Sequence, residues 1–454
     1  MNIHCPAAIG RLLRAIAPAL VSATLAVLAP AAADATNIER VVTPGGIEVW
    51  LVRDPTVPLI AIDFGFAGGS VQDPQDKGGT AEMMVSTLDE GAGDLDAKAF
   101  QERLEHKAIE LRFNAGRESI RGTLRTLKEN QDEAFDLLRL ALNAPRFDAS
   151  AIERMRAQLV SRLQRQSTSP NDISSRAWWG AAFPNHPYGR PVGGTLESVP
   201  QITVANLRDY HRRVPARETL KIGVVGDIAP GSLGRLVDGA FGPLPAKGDL
   251  APIADVVPQG IGRQLDVDLN VPQTVVTFGG YGVKRSDPDF MAAYVVNHIL
   301  GGGAFSSRLY TEVREKRGLA YGVYDSLVWL RHSAILLGNT ATRADATRQT
   351  IGLVESEVAR MAKDGPTQDE IDKAKTFLKG SFALGLDTSS KIANQLVNMQ
   401  IDNLGIDYID RRSALIDAIT LADTKRVAQR LLGPGLLVSV VGRPQAVITK
   451  GSGG

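Results

Sequence analysis

One pattern recurs along the chain at a nearly fixed offset, and it constrains the fold more than any other feature. Thr203 opens the segment TVANLRDYHRR, which leads into the apolar run LKIGVVGD ending at Asp227. Thr420 opens TLADTKRVAQR, which leads into LLVSVVGR ending at Arg443. The two threonines lie 217 residues apart, and Gly226 and Gly442 lie 216 apart. Threonine caps helices because its side-chain oxygen accepts from an unpartnered backbone N–H of the first turn. A capped helix followed by an apolar strand therefore occurs twice, as expected for two tandem domains of one fold. The domains are placed at 34–242 and 263–447. Pro243, Pro245, Pro252 and Pro258, with Gly248 and Gly260, make 243–262 a linker, and 448–454 is a tail.

In the first domain, alternation and turn residues predict strands at Ile47–Arg53, Leu59–Phe66, Glu110–Asn114 and Ser119–Leu124. Helices are predicted from near Gly78, over Ala97–Lys107 and Lys128–Leu142, and along a segment running to about Arg165. The second domain repeats the plan, with strands at Leu265–Leu269, Thr274–Gly279 and Leu327–Leu337. Its helices are Asp289–Leu300, Arg343–Lys363 and Gln368–Leu384. This is an α+β arrangement, each domain a sheet covered by helices on one face. Trp178 and Trp179 read as core or interface residues rather than a ligand platform.

The balance of 51 basic and 50 acidic residues gives no reason to invoke nucleic acid or a membrane surface as a partner. The N-terminus is distinct. Arg11 and Arg14 precede an apolar run, and Ala31-Ala32-Ala33 supplies small residues at a cleavage position. Residues 1–33 therefore read as a secretory signal, with the periplasm as destination and no membrane anchor after removal. Cleavage would also take away Cys5, the single cysteine.

The chemistry-bearing stretch is Leu300–Ser326, LGGGAFSSRLYTEVREKRGLAYGVYDS. Gly301, Gly302 and Gly303 are expected to form a flexible loop. Ser306 and Ser307 are positioned to cap a helix whose Leu309 and Val313 share a face. Gly318 would end it, and Leu319–Tyr324 reads as a strand. Arg314 then sits near the helix end and Tyr321 at the strand start. A cation and a phenol on either side of a tight turn can converge as donors to an oxyanion. The plainer alternative makes Arg314 a surface residue and Tyr321 a core one.

The segment R-E-K-R-G-L-A-Y, Arg314–Tyr321, resembles the C-terminal half of the pitrilysin, insulysin and mitochondrial processing peptidase family, the inverted-motif zinc peptidases. The turn His186-Pro187-Tyr188-Gly189 resembles the same family. The resemblance spans essentially all of 38–447 and implies two α+β domains forming half of a clam-shell chamber. It also implies that Arg314 and Tyr321 complete an active site. Catalytic members carry H-x-x-E-H on a helix, two imidazoles for zinc and a glutamate that activates its water. The matching segment here is GGTAEMMVSTLDEGAG. Glu82 stands at the first histidine, Val85 at the general base and Ser86 at the second histidine, while Arg162 takes the third-ligand position.

No zinc is therefore expected in this chain. The pattern is that of a non-catalytic subunit that lends Arg314 and Tyr321 to a zinc-bearing partner degrading unfolded peptides, with Gly301–Gly303 helping to admit or hold peptide. Two other readings stay open: a peptide-binding scaffold of the same fold with no part in hydrolysis, and a zinc enzyme acting alone, which the substitutions oppose. Glu102, His106 and Glu110, four apart, read as a charged solvent face rather than a metal site.

Overall fold

Both threonines cap helices, and both helices feed the same position in a sheet. In the computed structural model, which describes residues 37–443, Thr203 accepts from Asn206 N while Asn206 Oδ1 accepts from Thr203 N. Thr420 and Asp423 form the same reciprocal box. The strands that follow end at Gly226 and Gly442, with φ of 146° and 149°. A Cβ at Gly226 would lie 2.1 Å from Leu59 O, and one at Gly442 2.7 Å from Thr274 Oγ1. The same residue is needed twice because the same backbone passes the same neighbour.

The first half contains β1 (Ile38–Val42), β2 (Glu48–Arg53), β3 (Leu59–Ala67), a short pair β4 (Gly91–Ala92) and β5 (Leu95–Asp96), then β6 (Glu110–Ala115), β7 (Ser119–Leu127) and β8 (Lys221–Gly226). Its main sheet has the order β1-β2-β8-β3-β7-β6, with β2 and β8 parallel and every other pair antiparallel. The second half contains β9 (Gln264–Asp268), β10 (Gln273–Tyr281), β11 (Ala320–Trp329), β12 (Ala334–Arg343) and β13 (Leu437–Gly442). Their order is β9-β13-β10-β12-β11, with β9 and β13 parallel and the rest antiparallel. Apart from β1, the two sheets share one topology, so the α+β duplication holds.

The predicted Leu327–Leu337 strand divides. Its first residues complete β11, a turn closes with Leu330 N donating to Ser333 O at 2.9 Å, and β12 begins at Ala334. The linker stretch carries no helix or strand between Gly242 and Arg263, and backbone bonds tie it to both halves, Arg217 N to Pro245 O and Gly262 N to Leu436 O among them. Residues 1–33 and 448–454 lie outside the described residues.

Each half's own elements cover one face of its sheet, as expected, and the second face is not left open. Ile60, Ile62, Phe64 and Phe66 of β3 pack into their own half's core, and Val276 and Phe278 of β10 do the same in theirs. The opposite faces are also covered, each by a helix from the other half. Helix Pro170–Ala182 lies on the second sheet: Trp178 is fully buried, its Nε1 donates to Leu437 O at 3.0 Å, and Ser174 donates to Thr277 Oγ1 at 2.8 Å. Helix Ser389–Ile401 lies on the first sheet, where Gln400 donates to Ile222 O and Asn394 to Asp63 Oδ2. Close approach requires glycine beneath each helix. A Cβ on Gly279 would be 2.7 Å from the Trp178 ring, and one on Gly223 2.5 Å from Ala393 O.

Because each half seals the other's sheet, the halves are expected to unfold together. Trp178→Ala should cost about 3–5 kcal/mol and keep one cooperative transition in denaturant titration. Two separated transitions in the wild type would show that the halves fold independently.

Candidate functional site

Helix Phe290–Asn297 continues into a π-helical turn, His298–Gly302, so Gly301 and Gly302 are helical rather than a flexible loop. The reason lies across the turn. A Cβ on Gly301 would stand 2.6 Å from Asp325 Cγ, and one on Gly302 2.8 Å from Asn297 Oδ1. Glycine is demanded here by a neighbour's proximity. Gly303 follows the turn, where a Cβ would meet His298 O at 2.6 Å. Asp325 projects from β11 into the interior, accepts from Asn297 Nδ2 at 2.5 Å, and has no partner for its second oxygen among the described residues. Burial raises its pKa well above the usual carboxylate range, only partly offset by the Asn297 bond.

Ser307 then caps Arg308–Tyr310 by accepting from Tyr310 N, and a second π-helical turn, Thr311–Glu315, carries Arg314. Leu309 and Val313 are buried on one face, as their spacing predicts. Gly318, at φ 60°, reverses the chain into β11. The Arg314 guanidinium comes to 4.7 Å from the Tyr321 ring centre and 4.8 Å from that of Tyr310. Tyr321 is 88% exposed, which removes the alternative that it fills core. It stands out because the β11–β12 register shifts between Ala320 and Val323. Sequence reasoning missed two aromatics here: Tyr310, and Phe305, 72% exposed with its ring 5.1 Å from that of Tyr310. An aromatic two residues after a glycine run was the available signal.

The second cluster lies in the first half. Helix Thr80–Val85 carries Glu82 and Val85 and ends at Ser86, while Arg162 comes from helix Ala149–Thr168. The four positions that the resemblance pairs do approach one another. Arg162 Nη2 donates to Glu82 Oε1 at 2.5 Å. Val85 is buried in the core, and Ser86 Oγ donates to Met83 O at 3.0 Å. Glu82, Ser86, Met155 and Arg162 line one open groove of about 670 Å³. His186 is a turn residue: its Nδ1 accepts from Tyr188 N, and its Nε2 lies 3.1 Å from Ala254 O. Glu102 and His106 lie on a helix that ends before Glu110.

Residues 48–196 match the family described as Insulinase (Peptidase family M16), and residues 201–378 match the Peptidase M16 inactive domain. This chain belongs to the M16 peptidase family. It is 29% identical over 344 residues to the non-peptidase homolog YmxG of Helicobacter pylori, covering 75% of this chain and 79% of that one. It is also 29% identical over 423 residues to an uncharacterized zinc protease of Mycobacterium tuberculosis, covering 91% and 94%. A crystal structure of a peptidase M16 inactive domain from Pseudomonas fluorescens superposes with a TM-score of 0.84 at 28% identity, covering 90% of this chain and 99% of that one.

The M16 setting asks whether this chain's residues fit a zinc ion, and they do not. A guanidinium has no lone pair to give and stays protonated, and its charge opposes a cation. The one carboxylate in the cluster is already taken by it, and an isopropyl group stands where a general base would be. Among the described residues, no group of three or more His, Cys, Asp or Glu side chains is placed to hold a metal.

The Asp325 carboxyl yields a pH prediction. Its folded pKa is raised, so the folded state binds its proton more tightly than the unfolded chain, and stability falls as pH rises above the unfolded carboxylate range. Asp325→Asn keeps an acceptor for Asn297 without that penalty. Its stability advantage over wild type should grow on going from pH 4 to 8, by up to about 1.4 kcal/mol per pH unit. Thermal melts at a series of pH values check this, and a pH-independent difference would contradict it.

Proposed function

We propose that this chain is the non-catalytic subunit of a heterodimeric M16 zinc peptidase, exported to the periplasm, whose partner carries the H-x-x-E-H helix. One contrast supports the reading. The metal positions are closed by the Arg162–Glu82 pair, whereas Arg314 and Tyr321 stand together on the surface. Zinc in the partner would polarise the scissile carbonyl when bound. What this chain adds is a guanidinium and a phenol at a common point, donors for charge developing on a tetrahedral oxygen. β11 is the edge strand of its sheet and carries Tyr321 and Tyr324, both exposed. An extended peptide can add to such an edge, backbone to backbone, with its side chains meeting these rings. Gly301–Gly303 would lie beside that path, and this chain would form half of the chamber.

A scaffold role without hydrolysis has one observation in its favour. The contact of Arg314 with Tyr310 holds the guanidinium in place whether or not a substrate exists.

The purified chain alone should contain no stoichiometric zinc and cleave no peptide; one zinc per chain with chelator-sensitive hydrolysis would refute the non-catalytic assignment. A chain bearing H-x-x-E-H should co-purify with it. In the reconstituted pair, Arg314→Ala and Tyr321→Phe should each lower turnover by about 10²–10³, with the complex intact by size-exclusion chromatography. Wild-type turnover in both variants would leave the scaffold reading in place.

A further inference from the structure

A cavity of about 690 Å³ opens between the two halves, lined by strand, loop and helix residues that include none of the Arg314–Tyr321 or Glu82–Arg162 clusters. Its charge is lopsided. Arg121, Lys284, Arg285, Arg331 and Arg412 face it, against Glu118 and Asp402. Most of these are already matched. Arg121 is paired with Asp63 at 2.7 Å and Lys284 with Asp255 at 2.7 Å. Glu118 accepts from Arg331 N and from the Tyr188 hydroxyl. Asp402 accepts from Trp329 Nε1 at 3.1 Å.

Arg331 offers Glu118 only its backbone N–H and its side chain is exposed, which leaves two guanidinium groups set into the wall. Arg412 is 5% exposed, donates through Nη1 to Leu378 O at 2.8 Å, and has no carboxylate within 4 Å among the described residues. Arg285 is nearly as deeply set, and its one carboxylate neighbour, Asp402, is 4.0 Å away. Both lie over aromatic rings: Arg412 at 4.3 Å from Phe382 and 5.8 Å from Tyr294, Arg285 at 4.1 Å from Phe290 and 5.2 Å from Tyr408. Ring faces attract a cation but do not neutralise it. A buried guanidinium without a counter-charge is unfavourable, and an anion in the adjoining space would relieve it. The volume suits a small organic molecule, and Phe290, Tyr294, Trp329 and Tyr408 give this otherwise charged and polar lining one apolar wall.

We propose that this interdomain cavity binds a monocarboxylate with an aromatic or branched apolar body, its carboxylate on Arg412 and its body against Phe290, Tyr294 and Trp329. A planar carboxylate matches the donor fork of arginine. The carboxylate can belong to a free acid or to the C-terminus of a peptide, and the two sources are separable by experiment. The proposal does not depend on the peptidase reading, because the site is built from this chain alone.

The test is isothermal titration calorimetry on the full mature chain with N-acetyl-L-phenylalanine and with an octapeptide ending in a free phenylalanine, each alongside its C-terminal amide. Saturable binding of at least one acid below about 1 mM is expected, with the matching amide at least about tenfold weaker. Binding of both acids assigns the site to the free carboxylate group, and binding of the octapeptide alone assigns it to a peptide C-terminus. Arg412→Met keeps the apolar stem and should weaken binding at least about tenfold. Gln395→Trp fills the cavity from its wall without altering either arginine and should do the same, so the proposal stays testable if the arginine variant does not fold. No binding of either acid, equal binding of acid and amide, or full binding by the folded Gln395→Trp chain would overturn it.

Discussion

The exchange of helices between the halves is the constraint on which the rest of this structure depends. A sheet in the middle of a domain has two faces to remove from water, and each half supplies cover for only one of its own. The helix Pro170–Ala182 and its counterpart Ser389–Ile401 supply the missing cover in opposite directions. Glycines at 279 and 223 let them lie close, and Trp178 on one side and Leu396 on the other fill the space that results. The second helix also carries polar groups inward. Asn394 and Asn398 meet the buried Asp63–Arg121 pair of the first sheet, so the seam is specified by directional bonds as well as by apolar contact. The same helix then supplies Gln395 and Asn398 to the cavity wall, and Asp402 follows at its C-terminal cap. That cavity therefore exists only because the halves are interlocked.

The two surface clusters have opposite character. In the first half, an ion pair occupies two positions that the resemblance assigns to metal ligands, a buried valine takes the general-base position, and the groove beside them is self-satisfied. In the second half, a guanidinium and a phenol are held by rings and by a reversal at Gly318, and they remain open to solvent.

The duplication was legible because caps and left-handed turns demand particular residues locally: Thr203 and Thr420 report helix starts, and Gly226 and Gly442 report backbone that no side chain tolerates. The convergence of Arg314 and Tyr321 was legible for the same reason, since one glycine turn separates them. The glycine run was misread because its cause was remote. Gly301 answers to Asp325, twenty-four residues later and on another element, and nothing in the local sequence distinguishes that from a loop. The exchanged helices were missed as cover because their partners lie in the other half. Arg412 and Arg285 belong to separate segments whose proximity only the folded chain shows.

The Arg162–Glu82 contact has an evolutionary corollary. Suppose a descendant were to regain the acidic third ligand first: a new carboxylate at 162 would confront Glu82 across the space the guanidinium now neutralises. Suppose instead that histidine arrived first at 82: the arginine would lose its counter-charge and stand against an imidazole. Either path begins with an electrostatic loss and no metal to compensate it, and Val85 and Ser86 would still have to change. The pair thus works as a ratchet, making a metal site hard to assemble here one substitution at a time.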